Sequence, residues 1–369
     1  MKVLYLLDSF NRGGIEILTL DICRNAQAAD LDLTVAATGG GDLEADFRES
    51  GIEFIRLTRR LPIDPAIVAN LRKIIRERKI QIVHAFQAVE GIHAYLACLG
   101  TNVKTVLSHQ GFVGDQKNRL TLRFLLPRVA MNVVISQGLR RWYESVVKLK
   151  FSDNIKIVYN GVDEKRLAWH GETLKEELSL PAAAQFFGMI ANFYRDPRKD
   201  QLTVCRALPQ IFAEVPDAYC VFAGAIEAGA TIKFAECVDF CRKNKIDHRV
   251  FFLGGRADVP KILNSLDIFV FSSIHEGLGI AALEAMLTNV PCILSDIEPF
   301  LEISENGKYA EVFQTRNASE LAEKTLKLLK NKTLREDLAT RAEAFARKNF
   351  SIEAHLKNLK NLYQSLLEK

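Results

Sequence analysis

Phe271-Ser-Ser-Ile-His-Glu276-Gly-Leu-Gly-Ile-Ala-Ala-Leu-Glu284-Ala-Met286 is the stretch on which the fold turns. An apolar run from Ile268 to Phe271 leads into it and reads as a buried strand, glycines at 277 and 279 break the chain, and an Ala- and Leu-rich helical pattern follows. Strand, glycine turn and helix form the repeating unit of parallel α/β sheets, which bind ligands at the carboxyl ends of their strands. Glu276 is left in the turn and Glu284 falls on the helix. Backbone amides of such a turn can hold phosphate oxygens, and a carboxylate can accept hydrogen bonds from sugar or ribose hydroxyls. The plainer reading is a charge at a helix N-terminus followed by a solvated glutamate.

Outward from this stretch the same alternation covers the chain. Upstream and downstream, Phe186 to Ala191, Tyr219 to Ala223, Val250 to Leu253, Cys292 to Ser295 and Ala310 to Phe313 read as further buried strands, so one α/β unit begins near residue 185. An earlier set, Val3 to Leu7, Leu33 to Ala37, Phe54 to Leu57, Ile82 to Phe86, Thr105 to Ser108, Val133 to Ser136 and Ile155 to Tyr159, alternates with helical patterns at Gly14 to Asn25, Pro65 to Lys79 and Glu90 to Leu99. The pattern loosens from Gly161 to Gln185, and Leu356, Leu359, Leu362, Leu366 and Leu367 mark one apolar side of a last helix. With 369 residues, two domains are expected, each a doubly wound parallel sheet.

Composition bounds the function. Apolar residues make up 48% and charged residues 25%, the balance of a soluble globular protein. No apolar run reaches spanning length, and Met1 to Leu7 is too short for a signal-peptide core, so a cytoplasmic chain is expected. The seven cysteines are scattered without zinc spacing and read as buried, reduced thiols. Net charge is only +4, yet Lys117, Arg119, Arg123, Arg128, Arg140, Arg141, Lys148 and Lys150 face a single Glu144 between 117 and 150. That stretch is either a solvated helix face or a surface for an anionic partner, and Leu120, Leu122, Phe124, Leu125 and Leu126 beside arginines suit a membrane interface.

Two more segments carry candidate chemistry. The first strand runs through Asp8 to Gly13-Gly14 into a helix, where glycine lets backbone amides approach an anion, although no GxGxxG fingerprint stands there. Asn192-Phe-Tyr-Arg195-Asp-Pro-Arg198-Lys199-Asp200 follows the first strand of the second unit, and cations at a strand end can stabilise charge on a departing diphosphate. Each cation alone also reads as a solvated loop residue. Asp30-Leu31-Asp32 matches a DxD metal signature, but its place before the second strand reads better as turn chemistry.

Taken together, Glu276-x7-Glu284 in its setting, Lys199 after a strand and turn, Asn160-Gly-Val-Asp163, Phe252-Leu-Gly-Gly-Arg256-x-Asp-Val259, and Ser295-Asp296 with Glu302 resemble glycosyltransferase family 4 over nearly the whole chain. The resemblance implies the α/β GT-B fold: two Rossmann-like doubly wound domains facing across a cleft. The acceptor domain is expected at 1–165 with helix 350–369 packing back on it, and the donor domain at 166–349. A hinge is expected near Asn160 to Asp163 and another near Phe350.

The resemblance also implies a retaining, metal-independent transfer of a hexosyl-like group from a UDP-, GDP- or ADP-sugar, with no cofactor. By position, Glu284 would hold the ribose, Glu276 and the backbone of Gly277, Leu278, Gly279 and Ile280 the donor sugar and phosphates, and Lys199 the leaving diphosphate. Gly13 and Gly14 would approach that diphosphate, and His109 would lie near the donor sugar, although a lone histidine after a strand equally reads as structural. The family's usual basic position before the lysine is Asn192 here, so either Arg195 or Arg198 supplies that cation. The leaving phosphate oxygen can take the acceptor proton on the same sugar face, with no separate base. A glycan or lipid-linked acceptor of the cell envelope, peripheral contact with an anionic membrane at its inner face and no nucleic-acid partner complete the expectation. The alternatives are a non-catalytic sugar-nucleotide binding subunit or another GT-B enzyme such as an epimerase.

Overall fold

The computed structural model describes residues 1–113, 115–181 and 183–368. The apolar runs form thirteen strands: β1 Lys2–Leu7, β2 Asp32–Ala37, β3 Glu53–Arg56, β4 Ile82–Ala85, β5 Lys104–His109, β6 Met131–Val134, β7 Ile155–Ile157, β8 Gln185–Ile190, β9 Ala218–Ala223, β10 Val250–Phe252, β11 Ile268–Phe271, β12 Cys292–Ser295 and β13 Glu311–Phe313. The chain divides into two compact units, Met1–Val162 with the segment from Ile352 on, and Asp163–Ser351. Each holds one all-parallel sheet, ordered β3-β2-β1-β4-β5-β6-β7 in the first and β10-β9-β8-β11-β12-β13 in the second. Parallel strands need helical crossovers that cover both faces, which is why they read as near-continuous apolar runs. This is the GT-B fold class.

In the first unit the helix Ile352–Leu367 closes the core. Leu356, Leu359, Leu362, Tyr363 and Leu366 are buried in one cluster with Val3, Tyr5 and Leu33. Burying the four leucines contributes roughly 6–12 kcal/mol relative to leaving them in water. Polar atoms on the same face find partners: Tyr363 Oη lies 2.9 Å from Tyr5 Oη and 2.6 Å from His84 Nδ1, and His355 Nδ1 lies 2.6 Å from the Tyr159 carbonyl. The boundaries fall at 162/163 and 351/352, against 165/166 and 349/350 expected from the sequence. Ile352 N donates to Val162 O inside the first unit, whereas Glu164 pairs with Arg347 and Arg166 with Glu284 inside the second.

The basic apolar stretch resolves into an amphipathic helix, Gln116–Leu125, and the turn after it. Leu122, Leu125 and Leu126 are core residues, so the apolar side chains left in water are Leu120 (64% exposed) and Phe124 (40%), with Arg128 stacked on the Phe124 ring. The DxD segment lies at the amino edge of its sheet, opposite the strand ends that bind ligands: Asp30 takes a left-handed turn conformation and pairs with Lys360, and Asp32 opens β2 beside Lys2. Among the described residues, no helix is long and apolar enough to cross a membrane, and no group of three or more His, Cys, Asp or Glu side chains is arranged to hold a metal ion.

Candidate functional site

In the second unit the strand order reverses between β8 and β11, because β8 leads on to β9 at one side and β11 to β12 at the other. A doubly wound sheet opens its ligand crevice at that position. The loops leaving these two strands are stitched together by their backbones. Asp200 N donates to Ser272 O at 3.1 Å, Ile274 N to Arg198 O at 2.8 Å, and Ser273 Oγ to Arg198 O at 2.6 Å. Asp200 then caps the helix Gln201–Glu214 by accepting from Thr203 N, and this fixes the direction in which residue 199 leaves the loop.

The consequence is a direct ion pair between Lys199 Nζ and Glu276 Oε1, with the two side chains only 11% and 14% exposed. The ammonium also lies 4.4 Å from the centre of the Phe271 ring. Burial pushes the Lys199 ammonium down from the ordinary lysine range, and neighbouring Arg198 pushes the same way against Asp196. The Glu276 carboxylate beside it favours the charged form of the lysine.

Gly279 begins the helix Ile280–Leu287 in a left-handed conformation (φ +96°), where a Cβ would lie 2.5 Å from Phe300 Cε1. Only glycine fits. Among the described residues no side chain caps this helix, so the amides of Ile280 and Ala281 are first-turn donors without an intrahelical acceptor, on the loop that carries Glu276 and Gly277. Leu278, between the glycines, is buried and anchors the loop to the core. Glu284 is on the second turn, where its Oε1 accepts from Arg166 Nη2 at 2.6 Å.

Neither arginine considered for the missing cation points toward Lys199's pair. Arg198 is folded onto its own loop, with Nε donating to Asp196 Oδ1 at 2.8 Å and the guanidinium over the Tyr194 ring. Arg195 is exposed, and its amide bonds Glu227. Asn192 Oδ1 accepts from Ala225 N at 2.9 Å, so this residue ties the turn after β8 to the turn after β9. Sequence reasoning passed over Arg166. Its only signal was a cation three residues beyond Asp163 in the Asn160-Gly-Val-Asp163 segment.

The first unit holds the remaining candidates. His109 ends β5 and lines a crevice of about 300 Å³ with Phe86, Gln87, Gly111 and Tyr143. Its Nε2 lies 3.1 Å from Asn132 Oδ1, while Asn132 Nδ2 donates to Leu126 O. Burial pushes the imidazole down to about 4, so it is neutral at pH 7. An acceptor at Asn132 requires the proton on Nε2, which leaves Nδ1 able to accept.

Gly13 and Gly14 start the helix Gly14–Asn25, but a Cβ at Gly13 would meet Glu16 Oε2 at 2.5 Å, so the Glu16 carboxyl already covers that N-terminus. A second anion there would be repelled.

The sequence matches two family profiles, Glycosyltransferase Family 4 over residues 12–166 and Glycosyl transferases group 1 over residues 172–345. The chain is 24% identical over 315 residues to the N-acetyl-alpha-D-glucosaminyl L-malate synthase of Bacillus anthracis, covering 83% of this chain and 80% of that one. It is 27% identical over 249 residues to the UDP-Gal:alpha-D-GlcNAc-diphosphoundecaprenol alpha-1,3-galactosyltransferase of Escherichia coli, covering 63% and 62%. Among solved structures, HepE of Anabaena in complex with UDP superimposes with a TM-score of 0.85 at 20% identity, over 99% of this chain and 100% of that one.

Proposed function

The chain belongs to the family 4 glycosyltransferases, and from that premise we propose that it moves a hexosyl group from a UDP-sugar to an acceptor hydroxyl, with retention of configuration and without a metal ion. The observation that carries this reading is the buried Lys199–Glu276 pair at the crevice of the second sheet, beside an uncapped helix N-terminus. Lys199 and the first-turn amides of Ile280–Leu287 offset the charge that grows on the diphosphate as the bond from C1 to the phosphate oxygen breaks. In that state the diphosphate takes over the Lys199 ammonium, and Glu276 turns to the hydroxyls of the sugar. Glu284, oriented by Arg166, receives the ribose hydroxyls. Neutral His109 offers Nδ1 as a hydrogen-bond acceptor to a sugar hydroxyl that enters the first unit's crevice.

The diphosphate is assigned to the second unit, because Glu16 makes the Gly13-Gly14 turn unfavourable for an anion. The new bond from C1 to the acceptor oxygen forms on the face the diphosphate leaves, and the acceptor proton ends on the departing phosphate oxygen. UDP in the structural neighbour and a UDP-sugar in the name of the galactosyltransferase support the choice of nucleotide. Lys117, Arg119, Arg123 and Arg128 around exposed Leu120 and Phe124 support peripheral docking on an anionic membrane that carries a lipid-linked glycan.

The test is release of UDP from a panel of UDP-sugars in the presence of EDTA, with the product anomer read by NMR. Turnover with retention is the expected result. An absolute divalent-metal requirement, an inverted product, or a sugar trapped covalently on Glu276 overturns the corresponding part.

A further inference from the structure

In the first unit the helices Pro65–Arg78, Ala88–Cys98 and Gln116–Leu125 lie side by side, with the middle one packed on both neighbours. Pro65–Arg78 carries two stripes. Ile67, Leu71, Ile74 and Ile75 are its buried side, whereas Pro65, Val68, Ala69, Arg72, Lys73 and Arg76 repeat at i, i+3, i+4 along a second side and line a groove of about 560 Å³. Ile63 before the helix, and Leu96 and Leu99 at the end of the next one, complete the wall.

Two features separate this groove from an ordinary solvated helix face. The first is its polarity: over about 16 Å of helix the lining passes from Pro65, Val68 and Ala69 to Arg72, Lys73 and Arg76, and no carboxyl group lines it among the described residues. Arg72 Nη2 donates to Leu96 O at 3.0 Å, which holds that guanidinium across the groove. Lys73 reaches only Glu77, at 4.0 Å, and Arg76 has no carboxylate partner among the described residues. The second is the company it keeps. Of the nine large apolar side chains left exposed among the described residues, Leu61, Ile63, Leu99, Leu120 and Phe124 stand on or beside these three helices. The Phe124 ring meets Tyr95 of the middle helix with centroids 5.7 Å apart, so the groove continues into the basic apolar helix Gln116–Leu125. Apolar side chains gathered in one area of surface mark a place that something covers.

We infer that the groove between Pro65–Arg78 and Ala88–Cys98 binds one anionic phospholipid, with an acyl chain against Ile63, Val68 and Leu99 and the phosphate on Arg72 and Arg76. Guanidinium groups suit a phosphate because their N–H donors match its oxygens in pairs. A small soluble anion would meet the cations and leave the apolar wall in water. A neutral lipid would cover the wall and leave the cations without counter-charge. A second copy of this chain would bring its own cations to a cationic groove. The inference rests on the peripheral-membrane reading and deepens it, because it adds a lipid-selective seat to a surface that otherwise attracts any anionic bilayer.

Titration of the full chain with dihexanoyl phosphatidylglycerol below its micelle concentration, followed by calorimetry, tests it against dihexanoyl phosphatidylcholine, inorganic phosphate and an acidic helical peptide. The glycerol lipid binds about tenfold or more tightly than the choline lipid and than phosphate, and the double variant Arg72→Gln, Arg76→Gln weakens it by a similar factor. Ala69→Trp, at an exposed helix position, fills the groove and weakens it as well, with the charges kept. Equal binding of the two lipids, phosphate or the peptide bound as tightly as the lipid, dimers that the Arg72→Gln, Arg76→Gln change disperses, or unchanged lipid affinity in both variants overturns the inference. Flotation with phosphatidylglycerol vesicles is read in parallel. A chain that floats but takes no monomeric lipid keeps the membrane reading and loses the groove; one that does neither loses both.

Discussion

Replacing Lys199 by methionine separates the catalytic part of the argument from the structural part. The substitution keeps the aliphatic stem against Phe271 and removes the charge that faces Glu276. If that charge offsets the leaving diphosphate, its loss resembles removal of one donor from a preorganised anion site, about 10²–10³ in kcat. In the free enzyme the same change leaves Glu276 ionised in a site only 14% exposed. Breaking a fully buried pair costs about 3–5 kcal/mol, and partial solvation reduces this to about 1–3 kcal/mol here. The abandoned carboxylate takes up a proton more readily, so the variant recovers stability as pH falls and Glu276 becomes neutral. Lys199→Met with Glu276→Gln regains most of the stability and none of the rate. UDP release and thermal melting, followed together from pH 5 to 8, provide the two readouts. A Lys199→Met enzyme that turns over within threefold of wild type removes the electrostatic role, and one that melts unchanged at pH 8 shows that the pair does not hold in solution.

Other consequences follow from single observations. Gly279→Ala forces a Cβ into a left-handed position and against Phe300, a cost of about 2–5 kcal/mol, seen as a lower melting temperature and a higher donor KM; a melt unchanged from wild type contradicts the close approach. Glu284→Ala raises donor KM by about 10- to 100-fold with kcat largely kept, as loss of a contact made equally in ground and transition states requires; a fall confined to kcat refutes the ribose assignment. His84, His109 and His355 are buried in the first unit, and burial pushes them down to about 3, 4 and 4. The unfolded chain therefore binds more protons between about pH 4 and 6.5, and the stability of that unit falls as pH drops through this window, by several kcal/mol in all. Trp142 lies in the first unit and Trp169 in the second, so fluorescence-detected urea melts of Trp169→Phe at pH 7 and pH 5 isolate the effect, and coincident curves disprove it.

Much of this molecule was legible before folding. Alternation of apolar runs with amphipathic helices located all thirteen strands, because a parallel strand buried on both faces has no polar positions to blur it. The glycines at 277 and 279 and the lysine at 199 marked the two loops that meet at the second sheet's reversal point, since the positive φ of Gly279 and a cation at a strand end leave traces in residue type. Arg198, a reserve cation by sequence, has its guanidinium paired with Asp196 two residues away, a contact that residue type and spacing alone do not declare. The basic apolar stretch looked broader than it is, because the i, i+3, i+4 positions of its helix belong to the core.

By itself the sequence determined which segments become strands and helices, that two sheets form, and which glycines and charges stand at strand ends, all consequences of short-range periodicity and backbone sterics. Tertiary structure alone decided which strand ends are neighbours. That order brings Lys199 onto Glu276, Arg166 onto Glu284, and Asp8, Arg59 and Glu90 into one cluster across intervals of more than thirty residues. The reason is physical: burial and Coulomb interaction act through space over a few ångströms, and no spacing along the chain encodes the crossover that closes so long a gap.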